Sequence, residues 1–90
     1  MRKIAETAKA LAHPTRLSIL QELLKGEPTC VSKIEEILQK KQANVSQHLS
    51  ILKNAGIIDY QEKGKLRCYF LTDMDSVDNI LKSLKILSSK

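Results

Sequence analysis

The sequence predicts a mainly α chain carrying one small β-hairpin. Three observations point to it. Apolar residues recur at helical spacing through most of the 90 residues. The period changes to two only in "IIDYQEKGKLRCYFL", on either side of the Gly-containing turn "EKGK". Helical spacing then resumes toward the end of the chain. The predicted order is α-α-α-α-β-β-α.

Residues 2–12 predict the first helix, with Ile4, Ala8 and Leu11 on one face. "HPTR" interrupts it. The Pro14 ring disfavours helical geometry at His13, yet its fixed φ suits the first turn of a new helix. Leu17, Leu20, Leu23 and Leu24 form the stripe of that second helix, and Gly26 and Pro28 end it. "TCVSKIEEILQK" predicts a short third helix. Ser32 and Glu35, three apart, read as a capping box, with Ile34, Ile37 and Leu38 as the buried stripe. "QKKQ" carries a turn. In "ANVSQHLSILKNAG" a fourth helix places Val45, Leu49 and Leu52 on one side, and Gly56 is its left-handed stop. The hairpin spans about Ile58–Glu62 and Leu66–Leu71. Asp73 or Asp75 caps a last helix with an apolar stripe of Val77, Ile80, Leu81, Leu84 and Leu87.

Composition bounds the function. Ninety residues make a single domain over 1–90 with a modest core. The only aromatic residues are Tyr60, Tyr69 and Phe70, so Leu and Ile must build that core. No apolar run approaches the roughly 18 residues that span a membrane, and no membrane partner is expected. "MRKIAETAKAL" lacks the apolar centre of a secretion signal. With two cysteines, that predicts a reducing, cytoplasmic setting and not a disulfide scaffold. Nothing resembles a nucleophile–base–orienter set or a phosphate-binding glycine loop, so no enzyme, small-molecule substrate or cofactor is expected. A net charge of +5 is compatible with a polyanionic partner.

Two helices joined by a tight turn and followed by a hairpin describe a winged helix-turn-helix. At 100° per residue, the face of the fourth helix opposite Val45 holds Ala43, Gln47, Ser50 and Asn54, with Asn44 and Ser46 on its flanks. Those side chains are short, polar or small, and uncharged. Gln and Asn pair with adenine, Ser donates or accepts, and Ala43 fits a thymine methyl, so this face suits a DNA major groove. A solvated polar face is the plain alternative. Lys63, Lys65 and Arg67 surround Gly64 in the hairpin turn and suit phosphates or a minor groove; edge-strand protection by lysine explains them equally simply. Lys40, Lys41 and Lys53 flank the helix as candidate backbone contacts.

With "LAHPTRLSILQELL", "VSKIEEILQKKQANVSQHLSILKNAGII" and "GKLRCYFLTD", the chain resembles the ArsR/SmtB family of transcriptional repressors over roughly residues 8–73. Val45-Ser46-Gln47-His48-Leu49, Leu52 and Ala55-Gly56 form the most specific part. The resemblance implies a cytoplasmic homodimer bound to an inverted-repeat operator and released by an inducer. It implies DNA reading by Gln42, Ala43, Ser46 and Gln47. His48 lies near the core edge, where a structural hydrogen bond competes with DNA contact. The first and last helices are expected to form the dimer interface, since their stripes must bury against something. That would set two recognition helices about one DNA turn apart, facing a palindromic site.

The family's metal sites look incomplete here. A Cys-Val-Cys box is represented by Cys30-Val31-Ser32, offering one thiolate per chain where soft metals and arsenite want several. The last helix has Asp73, Asp75 and Asp78 but no His. His13 and His48 are not spaced as a pair. No metal site is therefore expected, although a metal or metalloid remains the alternative inducer. In a winged helix the segment before the third helix pairs with the second wing strand. Parity then puts Cys30 and Cys68 on one outer face, away from Val31 and Tyr69, within reach of a disulfide or polysulfide bridge. Thiol redox or persulfide sensing is one reading; two unrelated small residues at a sheet edge is the other. A winged helix serving protein–protein contact without DNA is the rival function.

Overall fold

The structure is a computed structural model and describes residues 1–89. The elements are α1 (Arg2–Leu11), α2 (Pro14–Leu23), β1 (Thr29–Cys30), α3 (Val31–Leu38), α4 (Gln42–Asn54), β2 (Ile58–Lys63), β3 (Leu66–Leu71) and α5 (Met74–Ser88). The strands form an antiparallel sheet in the order β1-β3-β2. The expected order of helices and hairpin is what the chain adopts, with β1 as the short segment that joins the wing.

Pro14 opens α2 at its first position, and the His13 side chain accepts from the Thr15 N–H at 3.1 Å as the N-cap. That satisfies one of the donors left free at a helix start. Ile19, Leu20 and Leu23 of α2 meet Ile34 of α3 and Val45, Leu49 and Leu52 of α4 in one cluster. Each of these side chains is at most 2% exposed. Burying an aliphatic side chain contributes about 1.5–3 kcal/mol, so this junction fixes α4 in place.

The end of α4 shows how the helix hands over to the wing. Gly56 takes φ +78°, which a Cβ would resist, so its N–H reaches Lys53 O at 2.9 Å while the Ile57 N–H reaches Leu52 O at 3.1 Å. Ile57 and Leu52 both enter the core. The chain then runs into β2. Thr72, just after β3, donates through Oγ1 to Gly56 O at 2.7 Å and ties the hairpin back to this corner. Asp73 follows and caps α5 by accepting from the Ser76 N–H at 3.0 Å. That bond holds its carboxyl below the usual carboxylate range.

Two local expectations fail in α3. Ser32 is not the cap: Cys30 occupies the N-cap position without a side-chain capping bond. The pairing of Thr29 and Cys30 with β3 ends at Val31, so the helix starts there and Ser32 lies inside its first turn. The predicted buried stripe is also narrower. Ile34 is fully buried, but Ile37 is 39% exposed because an eight-residue helix meets the core through little more than one turn.

Candidate nucleic-acid interface

The fourth helix divides as its sequence predicts. Val45, Leu49 and Leu52 are buried, while Gln42, Ala43, Asn44, Ser46, Gln47, Ser50 and Asn54 are exposed. Lys41 is the N-cap and makes no side-chain capping bond, and no acid lies in the first turn. The backbone N–H groups there keep their partial positive charge. Lys40 and Lys41 stand exposed beside them.

The wing supplies further cations. Gly64, at φ +63°, makes the turn that sets Lys63, Lys65 and Arg67 outward. Among the described residues, the ion pairs within 4.0 Å are Lys25–Glu22, Lys33–Glu36 and Lys82–Asp78. None uses Lys40, Lys41, Lys53, Lys63, Lys65 or Arg67. Those cations thus lie outside the ion pairs of the described residues.

Tyr60 was not singled out by sequence reasoning, and it connects the two parts. The Arg67 guanidinium lies 4.6 Å from its ring centroid and Lys53 Nζ lies 5.5 Å from it. Its ring also meets Tyr69 at 5.5 Å, its directly paired residue across the hairpin. The signal was the two-residue alternation from Ile58, which puts Tyr60 on the face toward α4.

His48 lies on the other side of the helix. It is 9% exposed, and its Nδ1 accepts from Arg16 Nη1 at 3.1 Å. His13 and His48, which sequence spacing does not pair, are brought together by the packing of α2 on α4, with ring centroids 4.4 Å apart. Burial, then His13, Arg16 and Lys40, hold the His48 imidazole below its ordinary pKa.

Cys30 and Cys68 are register partners and are joined by a disulfide, with Cα atoms 3.7 Å apart. They do share a face, opposite Tyr69 and Leu71 of the core. That face is not open at Cys68, however, which is 1% exposed. Its strand is the central one, flanked by β1 and β2, so its neighbours close over a small side chain. Cys30 remains half-buried. Among the described residues, no group of three or more His, Cys, Asp and Glu side chains is placed to hold a metal ion, and no helix is long and apolar enough to cross a membrane.

Comparison with known proteins agrees with this geometry. Residues 13–60 match the family described as "Bacterial regulatory protein, arsR family". The chain is 44% identical over 80 residues to the uncharacterized HTH-type transcriptional regulator MJ1325 of Methanocaldococcus jannaschii, covering 89% of each. It is 38% identical to the arsenical resistance operon repressor of Bacillus subtilis, over 90% of this chain and 76% of that protein. The structure of HlyU from Vibrio cholerae superposes with a TM-score of 0.82 at 27% identity, over 99% of this chain and 95% of HlyU. A structure of reduced HlyU superposes with a TM-score of 0.81. Helix pair, polar face and basic wing together define a winged helix-turn-helix DNA-binding transcriptional regulator. The chain belongs to the ArsR family of such regulators.

Proposed function

We propose that the chain is a homodimeric repressor that reads an inverted-repeat operator through α4 and is released by oxidation of its two thiols. The observation that carries the DNA-reading part is the exposed, uncharged polar face of α4, accompanied by cations that lie outside the ion pairs of the described residues. Gln42, Ala43, Asn44, Ser46 and Gln47 are assigned to base edges. Lys40, Lys41, Lys53, Lys63, Lys65 and Arg67 are assigned to phosphates. A salt titration of binding to the duplex upstream of the coding sequence tests this. The reading predicts a sequence-selective complex whose affinity falls steeply with salt. No complex with any duplex at low salt overturns it, and leaves the fold to protein–protein contact.

Dimerisation is supported by apolar surface that the single chain leaves open. Ile4, Ala8, Leu11, Leu17, Ile80 and Leu84 line one groove between α1, α2 and α5. A two-fold partner laying the same groove against it would make one domain per protomer, with α1 and α5 as the interface.

The signal is assigned to Cys30 and Cys68 because they are register partners joined by a disulfide. Hydrogen peroxide would oxidise the two thiols to that disulfide and be reduced to two waters; a polysulfide would be cleaved by both thiols, leave its inner sulfur between them, and release its two terminal sulfurs with the thiol protons as hydrogen sulfide. The disulfide joins the start of α3 to the wing, so its formation restrains both sides of the DNA-reading unit together. Mass spectrometry of the reduced chain after peroxide or polysulfide treatment, with DNA affinity measured in parallel, tests this. Linked cysteines and altered affinity support it; cysteines that stay unlinked with unaltered affinity sink it.

A further inference from the structure

The "HPTR" stretch and His48 play no part in the base-reading face, yet they meet. Arg16 leaves α2 and donates in three directions. Its Nε reaches Ala10 O at 2.6 Å, Nη2 reaches Lys9 O at 3.4 Å, and Nη1 reaches His48 Nδ1 at 3.1 Å. One guanidinium therefore joins the last carbonyls of α1 to the recognition helix. His13, from the same stretch, sets its ring against that of His48, with the two planes tilted by 46°.

The protonation states follow from donor and acceptor chemistry. Arginine only donates, so His48 Nδ1 must be the bare nitrogen and its proton sits on Nε2. The His13 Nδ1 accepts from the Thr15 N–H. The charged or titratable groups that act on His48 are His13 and Arg16 from α2 and Lys40 from the turn before α4, all basic. No carboxylate is among them. Protonating Nδ1 of His48 removes the acceptor for Arg16 and adds positive charge to an already basic cluster.

We propose that Arg16 and His48, with the His13 ring packed against them, form a proton-sensitive latch that positions the fourth helix. His48 is flanked in sequence by Gln47, which faces outward, and Leu49, which faces the core. Loss of the Arg16 bond thus removes a restraint one residue from Gln47, which the proposed operator reading assigns to a base edge. Arg16 and His48 act as positioning residues, independently of the cysteines. Lowering of the His48 pKa agrees in direction. The unfolded chain takes up imidazole protons at a higher pH than the folded one. Stability is therefore complete above the ordinary histidine value of about 6.5 and is lost as pH falls below it.

The test uses the full chain at fixed concentration and needs no operator. Long-range nitrogen–proton NMR should show the His48 imidazole as the Nε2–H tautomer at pH 7.5. His48 should titrate below the ordinary value, and the backbone amides of residues 46–51 should shift with the same midpoint. The melting temperature should drop by roughly 5 °C between pH 7.5 and 5.5, a range in which histidine is the side chain that ordinarily titrates. The double variant His13→Asn/His48→Asn keeps a cap and an acceptor but cannot be charged. Its melting temperature should stay level over that range. A His48 midpoint at or above the ordinary value overturns the latch. So do amides that stay silent through the His48 transition, or a double variant that follows the pH dependence of the wild type. If the double variant does not fold, the tautomer, midpoint and amide shifts of the wild type still decide. A loss of DNA binding with a normal latch would instead count against the operator reading.

Discussion

The fourth and fifth helices are both amphipathic, and they end differently. In α4 the apolar residues Val45, Leu49 and Leu52 are at most 1% exposed. In α5 only Val77 is buried, while Ile80, Leu84 and Leu87 are 37%, 42% and 65% exposed. The same kind of stripe is finished by the chain itself in one helix and left open in the other. Leu81 still packs on the core, but the helix runs on past it. A surface helix does not need four exposed large apolar residues there, Ile80, Leu84, Ile86 and Leu87. The difference separates two tasks. The fourth helix completes its apolar stripe within one chain; the last helix leaves apolar surface open, which the proposed dimer would cover with a second chain.

Substitutions at matched positions sharpen that contrast. The largest expected effect is Leu49→Ala, which should remove about 2–5 kcal/mol of folding stability in chemical denaturation, because a cavity opens in a fully packed site. Leu84→Glu should do something different. It should leave the fold intact and weaken self-association by about a hundredfold or more, on the order of 2.7 kcal/mol, as read by sedimentation. If Leu84→Glu unfolds the chain, or leaves its association state unchanged, α5 is not the open half of an interface.

Smaller effects probe the face of α4. Gln47→Ala should cost about 1–3 kcal/mol in binding to the selected site and relax preference at particular bases, leaving random-sequence affinity almost unchanged. Lys65→Ala, the smallest, should weaken all duplexes alike and lower the salt slope by about one. Competition binding across a panel of duplexes at several salt concentrations separates these outcomes. If both variants act alike on every sequence, the division between base reading and phosphate contact is wrong.

Much of this was written locally. The period of 3.6 in five segments, the switch to two around Gly64, and stops at Gly26, Gly56 and Pro28 specify the order of elements. The wheel from Val45 separates the face of α4 that the structure exposes. What sequence spacing missed depends on partners distant in the chain. Cys30 became the cap of α3 because Thr29 and Cys30 pair with β3, a contact that capping-box spacing does not contain. His13 and His48 meet only when α2 lies on α4. Cys68 is buried because its strand is central, which parity within one strand cannot reveal. The bridging position of Tyr60 depends on the Ile58–Leu71 register of the hairpin and on where α4 ends.

The central claim is that two chains present two α4 faces to one palindromic duplex. Selecting bound duplexes from a random pool and weighing the resulting complex by sedimentation tests it most directly. The account predicts selected sites that are inverted repeats, with half-sites about 10 base pairs apart or a multiple of that, and two chains per duplex. A single chain per duplex, selected sites without two-fold symmetry, or no selection at all would contradict it.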